Sequence, residues 1–340
     1  MVKAVYREII DYLKEVIKKK NPGEKLPSEN ELARMFNVSR MTARKAVDTL
    51  ALEGYVVRVP GMGTYVSDMA KRNKMIHVGV AIYDFSDLRG QTMLSSIIRT
   101  LLQFSMHPIP VNIIKGRTNR EELEILLEFN VEALIISPSP SIKNSVSFKK
   151  VVSRGIPIVF VDRYVDGLDF PCVTSNNHHG GFLLGEHMRK KHGVRKALFV
   201  TEEDLKVSSV RERYEGFKEG LDGEVLYFEL TADNTDLLIE TVRENKIDTI
   251  FFCHDLLAVK GITLLMKNGF RIPEDVKIVS FDDRAFSKHV IPNLTTVKQD
   301  FEKMGRMAAL MISKLLKGEK VNKIEHIPVE LIIRNSCGCE

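Results

Sequence analysis

The sequence predicts an α/β protein in which a small helical head with a β-hairpin precedes a larger body of two doubly wound lobes. Three observations carry this expectation. From residue 75 onward, strand-like apolar runs alternate with amphipathic stretches, and the pattern runs through twice. Residues 1–67 instead hold three helical patterns and two short β-rich runs around glycines. The positive charge is confined to the front: residues 1–74 carry 15 Lys+Arg against 9 Asp+Glu, a net of +6, whereas residues 75–340 carry 35 against 36, a net of −1. A basic module on a near-neutral body implies a polyanionic partner for the module.

Bulk composition narrows the class. With 44% hydrophobic and 28% charged residues, the 340-residue chain can bury ordinary cores and is not disordered. No run of about 18 apolar residues exists, so no membrane partner is expected. The first sixteen residues, MVKAVYREIIDYLKEV, are charged at every turn and do not read as a secretory signal. Four cysteines in a chain this long are not a disulfide framework. The expected compartment is the cytoplasm.

The head begins with a helical pattern at Tyr6, Ile9, Ile10, Leu13, Val16 and Ile17, with Lys18, Lys19 and Lys20 in the last turn, where cations suit the helix dipole. Asn21-Pro22-Gly23 stops it. Ser28 and Glu31 have the spacing of a capping box and open a second helix. Ser39 caps a third, running to about Leu52. There Ala43, Ala46, Val47 and Leu50 share one face, and Arg40, Met41, Arg44 and Lys45 another. Two helices joined by a short turn, the second led by exposed Arg and Ser/Thr, are how a helix-turn-helix enters a major groove. Arg40 and Arg44 can bond guanine in a fork, and Ser39 and Thr42 can bond phosphates. The runs 55–59 and 64–66 flank Pro60-Gly61-Met62-Gly63, a hairpin whose tip can approach a groove closely.

The stretch LPSENELARMFNVSRMTARKAVDTLALEGYVVRVPGMGTYV resembles the winged helix-turn-helix of the gluconate-repressor (GntR) family of bacterial regulators. The resemblance covers about residues 3–67. It implies double-stranded operator DNA as a partner, contacted through Ser39, Arg40, Met41, Thr42, Arg44 and Lys45 and a wing tip at Gly61, Met62 and Gly63.

In the body, strands are expected at 76–82, 110–115, 132–137, 156–161, 196–200, 225–230, 247–253 and 276–281. Helices are expected near 90–105, 119–129, 145–154, 178–192, 208–221, 234–245 and 255–269. Such alternation implies parallel sheets covered on both faces, and ligands bind beyond the carboxyl ends of their strands. Asp84, Ser137, Asp162, Arg163, His254, Asp255, Asp282 and Asp283 fall at those ends, and Arg211 and Arg213 open a helix. Carboxylates and Arg forks converging on a cleft suit a neutral polyhydroxylated ligand, with Tyr83, Phe85 or Phe301 to cover a sugar face.

IPIVFVDRYVDG, SSVRERYEGFKEGL, GFRIPEDVKIVSFDD and LTTVKQDFEKMGRMA resemble the LacI/GalR-family effector domain, which has the periplasmic-binding-protein fold of two Rossmann-like lobes. That resemblance implies effector contacts at Tyr83, Asp84, Ser137, Asp162, Arg213, His254, Asp282 and Phe301, with His254-Asp255 standing where the family usually has Asn-Asp. It also implies a homodimer. The joined pair resembles the L-arabinose-responsive repressors of Gram-positive bacteria, which implies a small sugar effector, L-arabinose, that releases the operator. The expected division is a DNA-binding domain at 1–67, a linker at 68–74 and an effector and dimerisation domain at 75–340. Its first lobe is set at about 75–174 and 299–325, and its second at about 175–298 and 326–340.

Other readings are weaker. No P-loop and no Gly-x-Gly-x-x-Gly follows the first strand, so no nucleotide cofactor is expected. His178-His179 with Cys172 matches no zinc spacing, and Cys337-Gly338-Cys339 reads as a tail without a partner pair, so no metal is expected. Ser208-Ser209 lies in no nucleophile elbow. An enzyme acting on a sugar or nucleotide with a DNA-targeting head would need a paired acid and base, which the sequence does not present. A transport binding protein fits neither the head nor the charged N-terminus.

Overall fold

In the computed structural model the chain divides into two units, residues 1–75 and 76–340. Residues 2–67, 76–83, 87–113, 120–139, 142 and 146–339 are described below. The expected linker at 68–74, together with Asp84 and Phe85, lies outside the described residues.

The first unit is three helices and a hairpin. Helices α1 (Val2–Lys19), α2 (Glu29–Met35) and α3 (Arg40–Leu52) precede strands β1 (Val56–Val59) and β2 (Gly63–Val66). The capping box forms: Ser28 N donates to Glu31 Oε2 at 2.7 Å, and Glu31 N donates to Ser28 Oγ at 3.3 Å. Ile9, Leu13, Ile17, Leu32, Ala43, Ala46, Val47, Leu50, Val56 and Val66 close around one core, which anchors the hairpin to α3. Strands β1 and β2 pair antiparallel, Val56 opposite Val66 and Val59 opposite Gly63.

The second unit holds two six-stranded sheets. The first contains β3 (Ile76–Tyr83), β4 (Met106–Ile113), β5 (Ala133–Ile136), β6 (Ile158–Val161), β7 (Cys172–Ser175) and β13 (Ile324–Ile327), ordered β13-β7-β6-β5-β3-β4. The second contains β8 (Lys196–Thr201), β9 (Glu224–Glu229), β10 (Thr249–Phe252), β11 (Lys277–Asp282), β12 (Thr295–Lys298) and β14 (Glu330–Ile332), ordered β14-β12-β11-β10-β8-β9. Every pairing is parallel except β12 with β14.

Helices cover both faces: α4 (Leu88–Gln103), α5 (Arg120–Glu128), α6 (Val146–Ser153) and α11 (Phe301–Leu316) in the first lobe, and α7 (Asn177–His192), α8 (Ser208–Leu221), α9 (Thr235–Glu244) and α10 (Asp255–Lys267) in the second. Strands buried on both sides explain the continuous apolar runs; β5, β6 and β10 have no exposed residue. The chain passes between lobes after β7, after β12 and after β13. It therefore stays with the first lobe to Ile327, slightly beyond the 325 expected. No helix among the described residues is long and apolar enough to cross a membrane.

Two departures from the expected elements have physical reasons. Strand β4 starts at Met106, not 110, and runs through Pro108 and Pro110. It is an edge strand, and prolines two apart aim their missing N–H groups to the same, unpaired side. Strands β7, β12, β13 and β14 complete the lobes although no periodic run announced them; four residues such as Cys172–Ser175 are too short to show a period. Helix α11 is not among the expected elements, although Met304, Ala308, Met311 and Ile312 recur at helical spacing.

Candidate functional site

On the head, Ser39 caps α3, its Oγ accepting from Thr42 N at 3.2 Å and lying 3.0 Å from Thr42 Oγ1. Arg40, Met41, Arg44 and Lys45 are exposed beyond it, with Thr42 half-buried. Arg40 Nε donates to Glu29 at 3.1 Å, and Arg44 stands 3.8 Å from Asp48, one turn on. Both arginine side chains remain half or more exposed, so their forks are free to reach a duplex.

Between α3 and the hairpin lies a concave surface of about 540 Å³ bordered by Glu29, Arg40, Arg44, Arg58, Pro60 and Gly61. Arg58 was not anticipated. From β1 it pairs with Glu29 of α2 and Asp48 of α3, fixing the wing against both helices. At the tip, Met62 is exposed, and Gly61 and Gly63 sit at φ +74° and +125°, where a side chain would be strained. Lys25 also reaches Gly63: a Cβ there would lie 2.8 Å from its Cε.

In the body, a cavity of about 250 Å³ opens between the lobes. Ser137, Asp162, Arg213, His254 and Phe301 all border it, drawn from strand ends and helix starts of both lobes. Asp162 directly follows β6 at φ +74°, and Asp282 ends β11 at φ +121°. Such non-glycine conformations cost about 1–3 kcal/mol each and cluster at ligand clamps. The Ser137 hydroxyl is buried and has no hydrogen-bond partner among the described residues. Arg213, from α8, has its guanidinium carbon over the Phe281 ring at 4.0 Å from the centroid, donates through Nε to Asn177 at 2.9 Å, and through Nη1 to the Cys253 carbonyl at 2.8 Å. His254 caps α10, its Nδ1 accepting from Leu257 N at 3.1 Å, which leaves Nε2 toward Glu202 at 3.7 Å. Tyr83 is the last residue of β3, in the first lobe.

Asp282 is placed differently from expectation. Its carboxylate is fully buried and borders not this cavity but a larger one of about 890 Å³ on the crossover side. Both oxygens are taken: Arg89 Nη1 donates at 2.7 Å and Arg284 Nε at 3.2 Å to Oδ2, and Gln299 Nε2 at 2.6 Å to Oδ1, with Arg213 3.9 Å away. Burial pushes this carboxyl up, but the charges of Arg89, Arg213 and Arg284 outweigh it and hold it below the usual carboxylate range.

Asp87 caps α4 and pairs with Arg89 at 2.9 Å and Arg284 at 3.1 Å. Asp87, Arg89 and Arg284 thus join Asp282 in one ionic cluster across the lobes. Sequence reading missed the first three, although Asp87-Leu88-Arg89 follows the first strand and opens a helix, the same signal that drew attention to Asp84. Asp255, by contrast, is an internal brace. It accepts from Ser280 at 2.5 Å, Ser287 and Thr296 at 2.6 Å, and Arg284 N at 2.8 Å, and burial raises its carboxyl.

The C-terminus is also not a loose tail. Cys337 is fully buried in the second lobe's core, and Cys339 lies beside His192.

Residues 5–66 match the family model described as bacterial regulatory proteins, gntR family, and residues 186–337 match the periplasmic binding protein-like domain. The chain joins a gntR-family head to a periplasmic-binding-protein-like body. It is 29% identical over 93% of its length to the arabinose metabolism transcriptional repressor of Geobacillus stearothermophilus, covering 92% of that protein. It is also 29% identical over 64% of its length to the ribose operon repressor of Halalkalibacterium halodurans, covering 66% of it. Among solved structures, the transcription regulator CcpA of Lactococcus lactis superposes with a TM-score of 0.68 at 20% identity, over 77% of this chain and 99% of that one. A ribose-bound LacI-family regulator from Enterococcus faecium superposes at 0.64 and 22% identity, over 76% and 98%. Both sequence relatives are repressors rather than enzymes, and this chain is a transcriptional repressor with a gntR-family head.

Proposed function

We propose that the chain represses transcription as a homodimer on a pseudo-palindromic operator and is released by L-arabinose. Support for the sugar comes from the interlobe cavity. At about 250 Å³ it is small for a ligand pocket and bordered by several charged side chains, and a buried Ser137 hydroxyl with no partner among the described residues lines it. That orphaned hydroxyl is the observation that carries the reading, since a buried unpaired hydroxyl costs about 1–3 kcal/mol and a sugar hydroxyl would satisfy it. Asp162, Arg213 and His254 then bind further hydroxyls, with Phe301 beside them. Asp282 acts through Arg89 and Arg213, as the anchor of the charges around the sugar. The arabinose assignment draws on the likeness to the arabinose metabolism repressors over nearly the whole chain.

On DNA, Arg40 and Arg44 read bases, Ser39, Thr42 and Lys45 bind phosphates, Met41 lies against the groove floor, and Gly61-Met62-Gly63 follows the neighbouring groove. Residues 1–67 form the reader, 68–74 the linker and 75–340 the sugar-binding and dimerising part of a cytoplasmic protein. Sugar and operator are coupled because each favours a different conformation of the dimer. The test is a gel shift on operator DNA titrated with L-arabinose, ribose, xylose, galactose and glucose. Release by L-arabinose at the lowest concentration is expected; equal or no response to all five sugars would refute the assignment.

A further inference from the structure

At the end of the second lobe, remote in sequence from the sugar contacts, two histidines and two cysteines converge. His187 and His192 come from the last turns of α7, and Cys337 and Cys339 from the final residues of the chain. One ligand atom from each lies within 4.8 Å of all the others. Cys339 Sγ is 3.4 Å from His192 Nε2 and 3.8 Å from His187 Nε2, and Cys337 Sγ is 3.5 Å from His187 Nε2. We propose that these four side chains form a structural zinc site that clamps the C-terminus onto α7.

The distances have the right scale. With Zn–S of about 2.3 Å and Zn–N of about 2.0–2.1 Å, a tetrahedral centre has edges of about 3.3–3.8 Å. Two sulfurs and two imidazoles in a tetrahedron are the donor set that selects zinc over the harder divalent cations. Two thiolates also neutralise the dication, so the centre tolerates its lysine neighbours Lys191 and Lys277.

The backbone is arranged for this convergence. Gly193, at φ +65°, ends α7 directly after His192. A 3₁₀ turn at Asn335–Cys337 ends in Gly338 at φ +90°, which brings Cys339 back beside Cys337. Thr295 Oγ1 stands 3.1 Å from Cys337 Sγ as an outer partner able to orient it. Ser336, next to Cys337, donates to the Ile278 carbonyl at 2.6 Å and accepts from Thr295 N at 2.8 Å, so the segment reaches α7 already held. A zinc ion would add a metal clamp to a segment whose Cys337 is already buried in the second lobe's core.

The test uses full-length protein purified under reducing conditions with zinc and then dialysed. About one zinc per chain is expected by elemental analysis. Replacing it with cobalt should give the intense visible bands and thiolate-to-metal charge transfer of a tetrahedral sulfur site, and chelation should lower the melting temperature. Cys339→Ser and His192→Gln should lose the metal, whereas Cys172→Ala, outside the cluster, should keep it. Metal-free protein, a weak octahedral cobalt spectrum, or unchanged zinc content in both ligand variants would overturn the proposal. So would a Cys337–Cys339 disulfide in place of metal. The cobalt spectrum of the unaltered protein decides the matter even if a variant fails to fold.

Discussion

Arg89 on the first lobe and Asp282 on the second meet at 2.7 Å across the interlobe junction, and the Asp282 side chain has no solvent exposure at all. Removing one member of such a buried pair leaves the other charges uncompensated, at a cost of about 3–5 kcal/mol. Asp282→Ala is therefore expected to lower the urea midpoint of the body strongly, because Arg89, Arg213 and Arg284 all face it. Equilibrium denaturation followed by circular dichroism reads this; an unchanged midpoint would mean that the cluster contributes nothing net.

The same cluster sets a pH dependence. Desolvation opposes the charged form at Asp282 and Asp87, but neighbouring arginines lower both carboxyls. Their stabilisation is complete above the unfolded value of about 3.9 and is lost as pH falls through the lower folded values. Asp255 has the opposite sign: burial raises it, so its contribution is complete below about 3.9 and is lost as pH rises through its folded value. Stability of Asp255→Asn should accordingly rise more, or fall less, than that of the unaltered protein as pH increases above about 4. Parallel curves for the two proteins would contradict this.

Ser137→Ala should have opposite effects on two readouts. Deleting an unpartnered buried hydroxyl leaves the free protein equally stable or more so, by up to about 1 kcal/mol. Sugar affinity should fall by about 0.5–1.5 kcal/mol, roughly two- to tenfold, as one hydrogen bond is lost. Calorimetry and thermal melting on one preparation measure both.

Gly216→Ala tests how Arg213 is held. A Cβ at Gly216 would lie 1.9 Å from the His178 carbonyl oxygen, and one at Gly181 would lie 2.3 Å from that of Arg213. Helices α7 and α8 thus pack backbone against backbone. The added methyl should cost about 1–3 kcal/mol or more and weaken sugar binding by displacing Arg213. Wild-type sugar affinity in a folded Gly216→Ala protein would show that the helix contact does not position the arginine.

Arg44→Ala should reduce specific operator binding by about 1–3 kcal/mol and leave sugar binding unchanged. Lys45→Ala should weaken all duplexes alike and reduce the salt slope by about 1. Fluorescence anisotropy across a salt series separates the two residues.

Much of this molecule was determined by the sequence alone. Local patterns suffice for the head, because the capping box at Ser28, the two faces of α3 and the glycine tip are each specified within a few residues. The alternation of strands and helices likewise yields two lobes, since buried parallel strands must be apolar throughout. Ser137, Asp162 and His254, at strand ends, could be placed on one cavity because parallel sheets present one end to a ligand, whereas Arg213 and Phe301 reach it from helices. Only the tertiary structure decided how charges and thiols are shared. Arg89 and Asp282 are 193 residues apart, and His187 and Cys337 are 150 apart. No periodicity links such partners. The fold brings them together by returning the chain between the lobes, and burial then decides that Asp282 meets arginines in place of solvent, and that the last cysteines face histidines.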